Sequence, residues 1–294
     1  MNVKIRVISI LLLAITSVIT ASAQVGRVSL RPVFKPGQEY RYVINGSVDT
    51  QVTPTGPNGI ASHIHRETVA TVVIRAVVSA KGDVTNEAVI EALTIRTTVD
   101  GVEKPATGNS LAGQKIEYRL DSEDRVIKVL LPETAGATGL PQLIFSMGRW
   151  APLGEVAVGQ TWGPNPGAEN LFGGFEYIAV TTIAELSKSA VVDFKLSAVN
   201  GSNALVEGTI TLKQSGTSLL TNKDARIDVG VIAAGSGKTK IEFDLAASRI
   251  MSATTETSIE GRLSHTLPTG EGEKLQPRES KVVETAKTSV KLIQ

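Results

Sequence analysis

Long runs in which apolar, often β-branched residues alternate with polar ones most constrain the fold of this 294-residue chain. One such run, Ile64 to Val78, reads Ile-His-Arg-Glu-Thr-Val-Ala-Thr-Val-Val-Ile-Arg-Ala-Val-Val. Alternation with period two puts one set of side chains on each face of a strand, and Val, Ile and Thr favour strands. We therefore predict that this segment is a strand with one buried face.

Similar runs recur along the rest of the chain and are separated by turn signals. The turn signals include Asp100-Gly101, Asn200-Gly201-Ser202 and Gly235-Ser236-Gly237, in which Gly readily adopts positive φ. Short strands joined by tight turns favour antiparallel pairing. The sequence thus predicts an all-β fold of antiparallel sheets, with strands over 39–48, 64–78, 85–99, 115–120, 126–131, 176–183, 190–198, 204–213, 226–233, 239–245, 250–263 and 281–293.

The chain also shows signs of an internal duplication. Gly37-Gln38-Glu39-Tyr40 corresponds to Gly159-Gln160-Thr161-Trp162, and residues 115–120 (KIEYRL) correspond to residues 240–245 (KIEFDL). Repeated short anchors in the same order predict two related β units of the sandwich or half-barrel type. Their expected extents are 24–150 and 151–294. Alternation alone leaves open whether the units are separate or share one sheet.

The first 23 residues resemble a secretory signal peptide. Lys4 and Arg6 precede an uncharged apolar run over 7–19, and Ala21-Ser22-Ala23 offers small residues before a cleavage point. The apolar run is too short to span a bilayer. We expect residues 1–23 to be removed and the mature chain, without a membrane span, to be periplasmic or secreted.

Charge and cysteine content exclude several classes of function. The chain has 30 basic and 29 acidic residues, and loss of Lys4 and Arg6 would leave a slight excess of acids. Binding to nucleic acid needs a basic surplus, so no nucleic-acid partner is expected. The chain contains no Cys, which excludes thiol catalysis and thiolate metal sites. No pattern in the sequence calls for a cofactor.

Three motifs resemble those of a loose group of secreted bacterial β-rich proteins of unknown function. They are Val156-Ala157-Val158-Gly159-Gln160-Thr161-Trp162, the earlier Lys35-Pro36-Gly37-Gln38-Glu39-Tyr40, and the later stretch from Phe243 to Arg249. The resemblance implies an envelope-associated β protein. It implies no particular chemistry, because that group has no agreed activity.

The only cluster that suggests a metal site is His63, His65 and Glu67. Residues two apart on a strand share a face, so these three side chains should point the same way. Two imidazoles and a carboxylate would suit Zn²⁺ or Fe²⁺ in a metal-dependent enzyme. The alternative, which we favour, is a solvated strand end where histidine is simply tolerated.

The densest aromatic stretch suggests either a ligand site or a structural plug. As the rim of a groove its rings would contact an apolar ligand; as a plug they would fill the junction between the two β units. We favour the plug. The residues concerned are Trp150, Trp162, Phe172, Phe175 and Tyr177.

No catalytic residues are predicted, since the sequence lacks a Gly-x-Ser-x-Gly elbow and no general base has a recognisable partner. The leading hypothesis is a non-enzymatic envelope protein. It would use a β surface to bind a lipid or another apolar small molecule, or a protein of the envelope. The alternative is an assembly module that pairs through strand edges, suggested by the long runs over 250–263 and 281–293.

Overall fold

A computed structural model describes residues 26–56, 61–78, 84–107, 111–120, 126–130, 144, 147, 150–163, 187–222, 225–266 and 277–293. The secondary structure of these residues is nearly all antiparallel strand, which confirms the predicted fold class. The strands in chain order are β1 (Glu39–Pro54), β2 (Ser62–Val78), β3 (Val84–Val99), β4 (Val102–Glu103), β5 (Lys115–Leu120), β6 (Val126–Leu130), β7 (Thr161–Trp162), β8 (Ser187–Asn200), β9 (Asn203–Asn222), β10 (Ala225–Asp244), β11 (Arg249–Thr266) and β12 (Pro277–Leu292).

All twelve strands belong to one sheet. Its order is β6-β5-β3-β2-β1-β12-β11-β10-β9-β8-β7, and the short β4 pairs with β3. Each half is a meander in chain order, and β12 connects the halves because it pairs with both β1 and β11. The sheet is therefore continuous rather than divided into two sandwiches. The unit boundaries at 24–150 and 151–294, and the duplication itself, stay predictions.

Two of the predicted hairpin turns are confirmed. Asp100 and Gly101 connect β3 to β4 with φ of 52° and 81°, and Gly201 connects β8 to β9 with φ of 60°. Both backbone conformations lie in the left-handed region, where Gly is favoured and Asp is tolerated. Local turn chemistry was therefore sufficient to place these two hairpins.

The predicted turn at Gly235-Ser236-Gly237 is wrong, because β10 runs unbroken through it. The glycines serve close packing between strands instead. A Cβ added at Gly235 would lie 2.2 Å from Ser258 O, and one at Gly237 would lie 2.5 Å from Glu256 O. Both acceptors belong to the neighbouring β11, so only glycine permits this approach of the two backbones.

The inner face of the sheet is the one that carries Tyr42, Ile74 and Phe243, all buried. A single core cluster includes inner-facing side chains from both halves of the sheet. The cluster also takes in residues from outside the strands that cover part of this face: Leu30, Leu111, Ile144, Met147, Trp150 and Val156. A two-way backbone pairing between Val28 and Val156, with N–O distances of 2.8 and 2.9 Å, ties two of these covering segments together.

Candidate functional site

Along the strands, the apolar side chains of the inner face change from buried to half-buried. Where β1 begins, Tyr40, Tyr42 and Ile44 are buried among apolar neighbours, which defines the apolar end. Toward the other end of the same strands, apolar side chains become only half-buried. The inner-facing side chains there define the mixed end: Val52, Ile64, Arg66, Leu263 and Val282.

The register brings the mixed end together across four neighbouring strands. Val52 on β1 pairs with Val282 on β12, and Thr50 on β1 pairs with Ile64 on β2. Polar groups lie between the apolar ones: the buried Thr50 Oγ1 donates a hydrogen bond to Glu284 Oε2 at 3.0 Å. The surface thus combines accessible aliphatic groups with a few fixed polar groups, the usual composition of a small-molecule site.

Trp150 occupies the apolar end and is completely buried. Its ring meets Phe243 edge-on, with centroids 5.8 Å apart, and it is tilted against Phe194 at 6.3 Å. Its indole Nε1 donates to Met147 O at 3.0 Å, which satisfies the buried polar group. These contacts join the covering segment to the sheet. The structural plug and the ligand site both stay predictions.

Trp162 extends the same cluster toward the surface. It stacks on Phe194 at 5.9 Å, and its Nε1 donates to Trp150 O at 2.8 Å. The other three residues of the predicted aromatic site (Phe172, Phe175 and Tyr177) lie outside the described residues. Sequence reasoning missed Phe194 and Phe243, although both occupy buried positions of alternating runs and could have been assigned to the core on that signal.

His63, His65 and Glu67 share the outer face of β2, as their spacing predicts, and the two histidines contact Asp49 on β1. Asp49 Oδ1 lies 2.9 Å from His63 Nε2, and Asp49 Oδ2 lies 3.0 Å from His65 Nδ1. Glu67 Oε1 is 3.5 Å from His65 Nε2. Within the described ranges, no three His, Cys, Asp or Glu side chains are grouped so that they could hold a metal ion. The metal site at these residues stays a prediction.

The Asp49 cluster makes stability depend on pH in a defined direction. Although burial lowers it, hydrogen bonding and charge from Asp49 and Glu67 raise the pKa of His65 above its ordinary value of 6.5. Although burial raises it, hydrogen bonds from His63 and His65 lower the pKa of Asp49 below 3.8. The contribution of charged His65 to the free energy of unfolding is complete below about pH 6.5 and is lost as pH rises through the raised pKa. The contribution of ionised Asp49 to the free energy of unfolding is present above about pH 3.8 and is lost as pH falls through the lowered pKa.

We therefore expect Asp49→Asn to destabilise the protein more at about pH 5.5 than at about pH 8.5, because only the charged imidazole gains from the carboxylate. The difference should be a few tenths of a kcal/mol, since the partners are partly solvated. Urea unfolding at the two pH values measures it. Glu103→Gln, at an exposed hairpin position, is the control. An Asp49→Asn effect equal at both pH values would contradict the assignment.

A groove of about 590 Å³ lies in the second half of the sheet, lined mainly by outer-face side chains of β8 to β11. Its charged residues alternate in sign across the strands: Lys195 pairs with Glu207, and Glu207 with Lys240. Glu256, also in the lining, forms an ion pair with Lys287 at 2.6 Å. Opposite charges on neighbouring strands therefore compensate one another on this outer face.

No helix in the described part of the chain is both long and apolar enough to cross a membrane. No protein-family model and no curated protein matches the sequence.

Among solved structures, the chain is similar to lipovitellin, in a structure that concerns lipid–protein interactions, with 11% identity and a TM-score of 0.49. The match covers 89% of this chain and 26% of the lipovitellin chain. OccK5 of Pseudomonas aeruginosa matches with 7% identity, 89% and 100% coverage and a TM-score of 0.26. A LolA superfamily protein from Nitrosomonas europaea matches with 10% identity, 89% coverage of each chain and a TM-score of 0.15. All three TM-scores lie below 0.5, and nothing about the function of this chain follows from them.

Proposed function

We propose that this is an exported, non-enzymatic protein of the cell envelope that binds an apolar or amphipathic molecule against the inner face of its sheet. The observation that carries the proposal is the half-buried state of Val52, Ile64, Leu263 and Val282 beyond the packed core. Apolar groups left partly exposed side by side mark a binding surface more often than a bare solvent face. The signal peptide predicted over residues 1–23 supports the envelope location.

The packing of the two ends explains how one sheet can serve both stability and binding. At the apolar end, Trp150 packs on Phe194 and Phe243 and joins a covering segment to the sheet. Beside the aliphatic side chains of the mixed end lie Thr50 and Glu284, and a hydrogen bond joins these two buried polar side chains. The half-buried aliphatic groups of the mixed end offer a surface to the apolar part of an amphipathic molecule.

Two substitutions on β2 test which face of the sheet binds an apolar ligand. Ile64 is half-buried on the inner face, whereas Val69 on the outer face is 49% exposed. We expect Ile64→Ser to weaken binding of the neutral fluorescent probe N-phenyl-1-naphthylamine about 5- to 30-fold, because apolar contact area is lost. Val69→Ser should leave the affinity unchanged. The measurement is a fluorescence titration of each purified protein.

The proposal fails if the wild-type protein gives no saturable increase in probe fluorescence. It also fails if Val69→Ser weakens binding as much as Ile64→Ser, since the probe would then not distinguish the two faces.

A further inference from the structure

Arg66 is the one basic residue of the mixed end, and its neighbours on the adjacent strands are buried or half-buried. It faces inward because it pairs with Val48, which is buried, and lies two residues before the buried Thr68. On its other side it pairs with the half-buried Thr97 of β3. The guanidinium is therefore presented to the inner face, not to the solvated outer face where His63 and His65 lie.

The guanidinium of Arg66 has no protein partner in the described residues. Its Nε is buried and makes no hydrogen bond. Among the described residues, no acid acts on the pKa of this guanidinium. Other arginines of the sheet are paired: Arg41 with Glu91 at 2.8 Å, and Arg75 with Glu87. Arg249, whose Nε is also buried without a hydrogen bond, has Asp244 Oδ2 at 4.0 Å. Arg66 differs from all three by the absence of an acid.

A half-buried cation without an acceptor is energetically unfavourable. Burial lowers the pKa of Arg66 to about 10, so the side chain is still charged at neutral pH. Its hydration is reduced while no carboxylate replaces the lost water. A planar guanidinium with several donors is suited to bind a carboxylate or phosphate through two hydrogen bonds. An anion brought by a ligand would supply the missing partner.

We infer that Arg66 binds the anionic head group of an amphipathic ligand whose hydrocarbon chain lies against the aliphatic side chains of the mixed end. Val52, Ile64 and Val282 provide that apolar surface on the neighbouring strands. This inference rests on the proposed function and adds the charge of the ligand to it. The head group is a carboxylate or a phosphate attached to an apolar chain.

An acidic side chain, Glu284, lies near the mixed end on the same inner face. Glu284 on β12 is separated from β2 by β1 and accepts a hydrogen bond from Thr50. An ionised Glu284 would repel an anion, which would direct the head group toward the β2 side of the face, where Arg66 lies.

The test compares the fluorescent fatty acid cis-parinaric acid with its uncharged methyl ester, at about pH 8 where the acid is ionised. We expect wild-type protein to bind the acid at least about tenfold more tightly than the ester. Arg66→Gln should reduce acid binding to the level of the ester and leave the ester unaffected. Arg66→Lys, which keeps the charge, should retain part of the preference. Arg96→Gln, at an exposed position of β3, is the matched control and should change neither affinity.

A preference for the acid that survives Arg66→Gln, or equal binding of acid and ester by the wild type, would overturn the inference and leave the proposed function standing. Absence of binding for both ligands would overturn the proposed function and the inference with it. Displacement of the acid by inorganic phosphate alone at millimolar concentration would also overturn it, because the site would then recognise a free anion. Folding of Arg66→Gln is checked by its melting temperature, which should equal or exceed that of the wild type because an uncompensated cation is removed.

Discussion

Replacing Trp150 by Ala is expected to lower the free energy of unfolding by about 3 to 5 kcal/mol, the range for removal of a large aromatic side chain from a core. Trp150 is 0% exposed and contacts Phe194 on β8 and Phe243 on β10. The substitution leaves a cavity between the covering segment and the sheet, and it removes the indole hydrogen bond to Met147 O. Urea unfolding followed by far-UV circular dichroism measures the loss.

Leu153→Ala is the control for this prediction, because Leu153 lies three residues away and is 70% exposed. It should change the free energy of unfolding by less than about 0.5 kcal/mol. A loss below about 1 kcal/mol for Trp150→Ala would show that the aromatic cluster does not hold the covering segment on the sheet, and the plug would be excluded.

Gly235→Ala is expected to destabilise the protein by about 2 to 3 kcal/mol, although it adds a single methyl group. The new Cβ would lie 2.2 Å from Ser258 O and 2.8 Å from Ile259 Cα. Both are backbone atoms of β11, so relief requires β10 and β11 to move apart rather than a side chain to rotate. In an open surface strand, by contrast, alanine is usually accepted more readily than glycine.

The matched control is Gly154→Ala, where the added Cβ meets nothing within 4 Å and the backbone is not left-handed. That variant should be neutral or more stable by a few tenths of a kcal/mol, because alanine restricts the unfolded chain. Equal stability of Gly235→Ala and wild type would contradict the close approach of β10 and β11. The comparison is made by urea unfolding under identical conditions.

The fold class and several boundaries could be predicted because they depend on local sequence. Alternation with β-branched residues marks β2 along most of its length, and Asp100-Gly101 and Gly201 mark hairpin turns through positive φ. The shared face of His63 and His65 also follows from strand geometry alone, and their meeting with Asp49 confirms that they lie side by side.

Features that depend on distant pairing could not be predicted. The pairing of β1 with β12 joins residues more than 200 positions apart, and no local signal encodes it. The local sequence at Gly235 and Gly237 is typical of a turn, and only the position of the neighbouring backbone reveals their role in close packing. The alternation predicts that Arg66 and His65 point to opposite faces of the strand, but it does not indicate which face is buried. Arg66 was therefore overlooked in favour of the histidines beside it.

The two alternating runs that suggested assembly through strand edges do not lie at an edge of the sheet. The runs over 250–263 and 281–293 correspond to β11 and β12, which lie in the interior of the sheet and are paired on both sides. Their backbone hydrogen-bonding groups are therefore engaged within the chain. Assembly through strand edges stays a prediction without a specific strand to support it.

Photo-crosslinking with a diazirine-labelled fatty acid, followed by tandem mass spectrometry, tests most directly which surface of the protein holds its ligand. The inner face should take the label, at Val52, Ile64, Leu263 and Val282 of the mixed end. Excess unlabelled fatty acid should suppress that labelling. Saturable labelling confined to outer-face positions such as Val69 and Ile232, or no labelling that unlabelled fatty acid suppresses, would contradict binding at the inner face.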